Sequence, residues 1–288
     1  MLKYLGVIGY PLTRSLSPAF QQAALDALRL DILYEAWPTP ADGLQTRVTT
    51  LRSPTVLGAN VTIPHKEAVM AMLDEVDEVA GRIRAVNTIV NREGRLFGYN
   101  TDLQGLMRAL RQDGGFEPVG RRVVIAGAGG AARAAVAGLL DAGAASVTVI
   151  NRTLARAVSL AKDFRDGGAK IPVGAMPDER RSWEFAMRHC DLLINCTPVA
   201  SGDSIQSPLP LELIEKRHFV FDLIYDPAET SLRAAAKGAG AEFLGGLPML
   251  VYQGAASFEL WTGREAPVDV MFGAARSGVE AGVGKERK

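Results

Sequence analysis

The stretch Arg122-Val123-Val124-Ile125-Ala126-Gly127-Ala128-Gly129-Gly130-Ala131-Ala132-Arg133 decides how the rest of the chain is read. A short apolar, β-branched run passes directly into a glycine turn, and a helical pattern follows as far as Leu140. Strand, glycine turn and helix in that order are the setting a dinucleotide-binding loop requires. Glycines let the backbone turn tightly and come close to a pyrophosphate, while the helix N-terminus offers unpaired N–H groups and the positive end of its dipole. Gly127, Ala128, Gly129, Gly130 and Ala131 are therefore the expected phosphate cradle. A second strand over 146–150 ends in Asn151-Arg152-Thr153, with Arg156 one turn further on. An NAD site places Asp or Glu about 20 residues after the glycines to bind the ribose 2′-hydroxyl, whereas arginine suits a 2′-phosphate. The expected cofactor is NADP. The competing account, a solvated helix start, gives the two arginines no gain, because basic groups at a helix N-terminus face the wrong end of the dipole.

Outward from this loop, strand-like and helix-like segments alternate along the 288 residues, which predicts an α/β chain with parallel sheets. In the first hundred residues the pattern gives strands near 5–8, 32–36, 57–61 and 86–91, and helices at about 18–29, 42–51 and 66–80. Residues 91–95 read as a hairpin turn leading to a strand over 96–99. The Gly, Pro and charge cluster at 112–118 reads as a junction before the second sheet. Later strands over 190–194 and 219–221 end in Asn195-Cys196-Thr197-Pro198 and Asp222-Leu223-Ile224-Tyr225. Such tails leave the carboxyl ends of parallel strands, where open sheets bind ligands, so both are expected to face nicotinamide or substrate. From Leu247 the pattern is helical through about Trp261, and the Gly- and charge-rich residues after about Val279 are expected to fray.

Composition narrows the chemistry. Hydrophobic residues at 48% and charged residues at 22% are ordinary for a globular chain, and no apolar run reaches the roughly 18 residues that span a bilayer. Lys plus Arg and Asp plus Glu each number 32, so no net field draws the chain to nucleic acid or an anionic membrane. A small-molecule substrate is expected instead. Residues 1–9 read as a first strand and not as a signal peptide, which gives a cytoplasmic expectation. Cys190 and Cys196 fit neither a CxxC motif nor a disulfide scaffold, and both read as buried thiols in a reducing compartment. With three His in the chain and none evidently paired with it, Cys196 reads as structural and not as a nucleophile.

Several polar stretches end strands and precede helices: Ser15-Leu16-Ser17-Pro18, Asn60-Val61-Thr62-Ile63-Pro64-His65-Lys66, Ala85-Val86-Asn87-Thr88 and Tyr99-Asn100-Thr101-Asp102. Singly, each has a bland account. Ser17 caps a helix before Pro18, Asp102 caps the next helix, and Pro64 with Lys66 opens a solvated one. Beside an NADP loop, the set supplies hydroxyls, amides, one carboxylate and one amine at element ends, suited to gripping a polyhydroxylated acid.

Together with Gly9-Tyr10-Pro11, residues 127–132, Asn151-Arg152-Thr153 and Met249-Leu250-Val251-Tyr252-Gln253, these segments follow in order along nearly the whole chain, which resembles the shikimate dehydrogenase family. The resemblance implies a substrate-binding and catalytic domain of 1–103 completed by C-terminal helices at about 247–280, a doubly wound Rossmann NADP-binding domain of 104–246, and a cleft between them. It implies NADPH-dependent reduction of 3-dehydroshikimate to shikimate, on the route to chorismate and the aromatic amino acids. Lys66 and Asp102 match the family's catalytic pair, with Lys66 as stabiliser of the developing alkoxide and general acid. Ser15 and Ser17 would hold the substrate carboxylate, and Thr62, Lys66, Asn87, Asp102, Tyr225 and Gln253 would surround the ring hydroxyls. Glu78, Leu223 and Gly246 fall where the family places further cofactor contacts. No metal is expected, and the chain is expected to act as a monomer or homodimer. Two positions depart from the family pattern. Arg14 stands where many members have His, and Leu103 replaces a common Gly; neither change removes a catalytic group. Three rivals remain at this point. A quinate or dual quinate/shikimate dehydrogenase, or an aminoshikimate-type relative, is the nearest. A methylenetetrahydrofolate dehydrogenase-like enzyme would lack a use for the Ser-Leu-Ser-Pro grip, and an NADP-binding sensor would need a broken catalytic set.

Overall fold

The computed structural model describes residues 1–13, 15–197, 209–225 and 229–285, with side chains as far as Ala281. Arg14 and Pro198, singled out above, lie outside the described residues. The chain divides into two units, Met1–Gly105 with Leu250–Lys288, and Leu106–Met249.

The first unit begins β1 (Lys3–Gly9), α1 (Ser17–Ala27), β2 (Ile32–Pro38), α2 (Leu44–Thr50) and β3 (Gly58–Val61). It continues β4 (Glu75–Val76), α3 (Glu78–Ile83), β5 (Thr88–Arg92), β6 (Arg95–Tyr99) and the start of α4 (Asp102–Arg108). Its six strands order as β2-β1-β3-β5-β6-β4. β1 pairs in parallel with β2 and β3, whereas β5 is antiparallel to both β3 and β6. Leu5, Val7 and Ile8 of β1 are buried, the continuous apolar reading expected of a parallel strand covered on both faces. The hairpin between β5 and β6 forms as read. Glu93 and Gly94 both take positive φ, 54° and 86°, the I′ geometry whose twist matches a two-residue hairpin. Asn91 Oδ1 accepts from Gly94 N at 2.8 Å across it.

The helix expected over 66–80 does not form. A single 3₁₀ turn (Ala68–Met72), the short β4 and the six-residue α3 stand in its place. The cause is competition for backbone groups. Lys66 O accepts from Val86 N at 2.8 Å, Asp74 N donates to Leu96 O at 3.0 Å, and Asp74 Oδ2 accepts from Leu96 N at 2.7 Å. Asp77 then caps α3, its Oδ1 accepting from Ala80 N at 2.9 Å.

The second unit carries β7 (Arg122–Ala126), α5 (Gly130–Asp141), β8 (Ser146–Asn151), α6 (Leu154–Asp166), β9 (Val173–Pro177) and α7 (Arg180–Arg188). β10 (Leu192–Asn195), β11 (Phe219–Asp222), α8 (Ser231–Ala239) and β12 (Glu242–Leu244) complete it. All its strand pairs are parallel, in the order β12-β11-β10-β7-β8-β9. This is the Rossmann order, and it reverses direction of growth between β7 and β10, the switch point where such sheets bind ligands. The 112–118 stretch lies inside this unit, where Phe116 packs on Phe219 with ring centroids 4.8 Å apart.

α9 (Leu247–Thr262) and α10 (Val268–Lys285) follow. α10 packs along α1, and α9 lies so close to it that a Cβ on Gly254 would fall 2.4 Å from the Phe20 ring. The fraying expected after Val279 gives way to helix as far as Lys285, each further turn being held by the i→i−4 bonds of the one before. Among the described residues no helix is long and apolar enough to cross a membrane.

Candidate active site

Antiparallel insertion of β5 between β3 and β6 is what assembles the polar cluster of the first unit. The exits of β3 and β6 flank the entry of β5, so residues just after the first two meet residues just before the third. Val61 N donates to Asn87 O at 2.8 Å, Asn87 N to Tyr99 O at 3.1 Å, and Val86 N to Lys66 O at 2.8 Å. Side chains then close the group. Lys66 Nζ donates to Asp102 Oδ2 at 2.5 Å, with the two side chains only 16% and 4% exposed. Asn87 Nδ2 donates to Asp102 Oδ1 at 2.9 Å and to Gln253 Oε1 of α9 at 3.2 Å.

Lys66 is thus not the solvated surface lysine that its sequence position also allowed. Nor does Asp102 cap α4. Asn100 Oδ1 does so, accepting from Asp102 N at 3.0 Å and Leu103 N at 3.4 Å, which leaves the Asp102 carboxylate to the amine. A buried ion pair is a weak device for stability, because desolvating both charges offsets most of their attraction. An ammonium carries three donors, and Asp102 is the one side-chain partner of Lys66 among the described residues. The arrangement therefore holds a charged proton donor on a buried carboxylate with donors to spare.

Thr62 stands half-buried just after β3, beside Gly9 at the end of β1, where a Cβ on Gly9 would fall 2.3 Å from its Cγ2. Ser15 and Ser17 flank the start of α1. Ser17 is its first residue and not its cap; Leu16 occupies that position without a side-chain bond, and Ser17 is buried with its hydroxyl unbonded among the described residues. No hydrogen bond joins either serine to the Lys66 cluster among the described residues.

In the second unit a strand, a glycine turn and a helix follow one another over 122–141, as read. Gly127 takes φ +102°, and a Cβ there would stand 3.1 Å from the Cys196 carbonyl, so backbone and packing both demand glycine. Gly129 is different. Its φ of −97° suits any residue, and nothing among the described residues lies within 4 Å of an added Cβ. Packing among the described residues therefore does not require that glycine, and it leaves the N-terminus of the twelve-residue α5 open to an approaching group. Gly130 and Ala131 are half-buried, and Ala128 is buried. Arg133, in the same run, is committed elsewhere: it pairs with Asp163 of α6 at 2.5 Å, with both side chains largely buried. Asn151 Nδ2 donates to Thr153 O at 2.9 Å, shaping the turn into α6. Arg152 and Arg156 are exposed beside it, and Arg152 has no side-chain partner among the described residues. These features fit a dinucleotide with a 2′-phosphate.

Leu223 and Gly246 lie together. A Cβ on Gly246 would sit 2.2 Å from Leu223 O, and Gly246 N donates to Ile224 O at 3.1 Å. Tyr225 is half-buried nearby in sequence, and Glu78 is exposed in the first turn of α3, in the first unit. The two strand tails only partly meet expectation. Asn195 and Asp222 are buried and turned toward each other, Asn195 Nδ2 donating to Asp222 Oδ1 at 2.9 Å, with Thr230 Oγ1 donating to Oδ2 at 2.8 Å. Burial raises the Asp222 carboxyl above its ordinary range, opposed by those hydrogen bonds. Cys190 is buried, which pushes its thiol up to about 12, but Cys196 is only half-buried at the exit of β10.

Residues that sequence reasoning did not single out complete the first-unit cluster: Tyr34 and Ser257, with Asn60, Thr88 and Thr101 quoted earlier only as part of their motifs. One signal was available. Ser257 follows Gln253 by four residues and so shares its helix face.

Known proteins resemble this chain over most of its length. Residues 7–89 match the shikimate dehydrogenase substrate binding domain, 113–201 match shikimate / quinate 5-dehydrogenase, and 246–276 match the shikimate 5'-dehydrogenase C-terminal domain. The shikimate dehydrogenase (NADP(+)) of Moorella thermoacetica is 43% identical over 270 residues, covering 92% of this chain and 90% of that one. The crystal structure of Thermus thermophilus shikimate 5-dehydrogenase in complex with NADP(H) and shikimate is 42% identical, with a TM-score of 0.84 over 96% of this chain and 100% of that one. A quinate dehydrogenase from Corynebacterium glutamicum in complex with NAD is similar at 31% identity and a TM-score of 0.86, over 96% and 99% of the two chains. Identity above 40% sustained across both units leaves one assignment, and the chain belongs to the shikimate dehydrogenase (NADP+) family.

Proposed function

We propose that this chain reduces 3-dehydroshikimate to shikimate with NADPH, in the route to chorismate and the aromatic amino acids. The observation that carries the proposal is the Lys66–Asp102 contact at 2.5 Å, steadied by Asn87 on the second carboxylate oxygen. When bound, NADPH supplies hydride to the C3 ketone. The Lys66 ammonium donates to the ketone oxygen, stabilises the charge that develops there, and gives up the proton that completes the hydroxyl. Asp102 orients the amine and accepts from the adjacent ring hydroxyl. Ser15 and Ser17 hold the substrate carboxylate, and Thr62, Asn87, Tyr225 and Gln253 take the remaining ring groups. Gly127, Ala128, Gly129, Gly130 and Ala131 receive the pyrophosphate. Asn151, Arg152, Thr153 and Arg156 receive the 2′-phosphoribose end, with Glu78, Leu223 and Gly246 as further cofactor contacts.

Residues 1–103 with about 247–280 form the substrate domain in this reading, and 104–246 the NADP domain. A neutral charge balance and two cysteines that form no disulfide support a cytoplasmic enzyme, acting as monomer or homodimer. Purified protein is expected to oxidise NADPH on addition of 3-dehydroshikimate, and to oxidise shikimate with NADP+ faster than quinate. No NADPH oxidation would end the assignment, and faster turnover of quinate would move it to the quinate branch.

A further inference from the structure

Behind the Lys66–Asp102 pair lies a buried polar chain that the proposed chemistry does not use. The geometry points to Ser257 and Thr88 as positioning residues that fix the amide of Asn87, and through it the Asp102 carboxylate, for the reaction proposed above, on which this inference rests.

The chain starts at Tyr34. Tyr34 is buried, which pushes its hydroxyl well above the usual range and keeps it a donor; it donates to Asn60 Oδ1 at 2.7 Å. Asn60 is thereby turned so that Nδ2 points inward, to Ser257 Oγ at 3.0 Å and Asn87 O at 3.2 Å. Ser257 Oγ lies 2.7 Å from Thr88 Oγ1 and 3.1 Å from Thr101 Oγ1. Thr88 Oγ1 donates to Asn87 Oδ1 at 3.0 Å and Thr101 N donates to the same oxygen at 2.7 Å, while Thr101 Oγ1 accepts from Asn87 Nδ2 at 2.8 Å. A main-chain N–H can only donate, so with the Thr88 hydroxyl beside it Asn87 Oδ1 does not exchange places with its own NH2, and Nδ2 faces Asp102 Oδ1. Asp102 is then held by one oxygen, and the other is left to Lys66.

Asn60, Asn87, Thr88, Thr101 and Ser257 are all buried. So many desolvated polar groups are costly unless each is bonded, and when bonded they specify one arrangement. The only side-chain nitrogen or oxygen that is itself shut off from solvent and without a partner among the described residues is Gln21 Oε1, outside this chain. Ser257 and Gln253 both come from α9, four residues apart, so the register of one C-terminal helix sets two contacts of the cluster at once.

The test compares Thr88→Val, which keeps the shape and loses the hydroxyl, with Thr88→Ser, which keeps the hydroxyl, and with Ser257→Ala. Misplacement of a reacting group on the ångström scale costs on the order of 10²-fold. Thr88→Val and Ser257→Ala are therefore expected to lower kcat for 3-dehydroshikimate reduction by about 10- to 100-fold, with the Kd for NADPH changed by less than about twofold. Thr88→Ser should recover kcat to within about threefold of the parent protein. If Thr88→Val fails to fold, Ser257→Ala gives the same readout. The inference is overturned if kcat stays within about threefold in the folded variants, if Thr88→Ser falls as far as Thr88→Val, or if Thr88→Val and Ser257→Ala both unfold, which would make the chain purely structural. An inactive parent protein would instead overturn the functional reading and this inference with it, so the two failures are told apart by the parent's own rate.

Discussion

Replacing Lys66 by Met removes the amine and keeps most of the side-chain volume, and replacing Asp102 by Asn removes the charge and keeps the shape. A single positioned acid contributes about 10² to 10⁴ in rate, so Lys66→Met should lose that much kcat while NADPH still binds. Asp102→Asn loses a charge-assisted hydrogen bond at 2.5 Å between side chains that are 16% and 4% exposed. Such a bond is worth about 1.5–3 kcal/mol, or about 10- to 150-fold at roughly 1.36 kcal/mol per decade. If the carboxylate acts on kcat through the amine, and its ring-hydroxyl contact serves substrate binding, it has nothing left to orient at saturating substrate once the amine is gone. The double variant should then be no slower than Lys66→Met alone. Two independent contributions would multiply to about 10³ to 10⁶. Initial rates of NADPH oxidation at saturating 3-dehydroshikimate, with NADPH affinity measured by fluorescence, give all four corners of the cycle. A double variant slower than Lys66→Met by the full Asp102→Asn factor would refute the orienting role, and near-normal turnover of Lys66→Met would return the lysine to an ordinary buried ion pair.

Arg152→Ala combined with Arg156→Ala should weaken NADPH by at least about tenfold, as expected for lost charge-assisted contacts, and leave NADH nearly unchanged; equal losses for both cofactors would remove the 2′-phosphate assignment. Gly246→Ala would drive a methyl to 2.2 Å from Leu223 O, so it should lower the unfolding midpoint by the equivalent of about 1–3 kcal/mol and weaken NADPH; unchanged melting and affinity would show that the two segments are not tightly apposed. Asp222, whose carboxyl is raised by burial, binds its proton at higher pH folded than unfolded, so its charge opposes folding above its native pKa. Relative to Asp222→Asn, the stability of the parent protein should therefore rise as pH falls through that native value and level off below about 3.9; the opposite slope in denaturant midpoints would contradict the burial argument.

The all-parallel sheet was legible because its information is local. Residues 122–133 carry strand, turn and helix signals in one run, and the glycines state where backbone or ligand comes close. The segment 66–80 failed for the opposite reason. Its sequence has helical periodicity, but the Lys66 carbonyl and the Asp74 carboxylate are taken by Val86 and Leu96, twenty and more residues away. Asp77 before Glu78 was a visible cap and could have placed the break. Asp102 shows the same limit at the site. A carboxylate at a helix start is locally a cap, and only the nearby Asn100 amide, by taking that duty, reveals that it is not.

The site itself depends on a topological fact that no motif carries. β3 and β6 run the same way, and β5 runs against both, so the amine after one exit and the carboxylate after another converge on an amide that precedes an entry. In an all-parallel arrangement Asn87 would lie at the opposite edge of the sheet from Lys66 and Asp102, and the carboxylate would have lost its second anchor. The amide's far side is then closed by Ser257, which is 169 residues from Thr88 and reaches it only because the C-terminal helices return to the first unit. That separation explains why the lysine, the aspartate and the amide could be read from short motifs while Ser257 behind them could not.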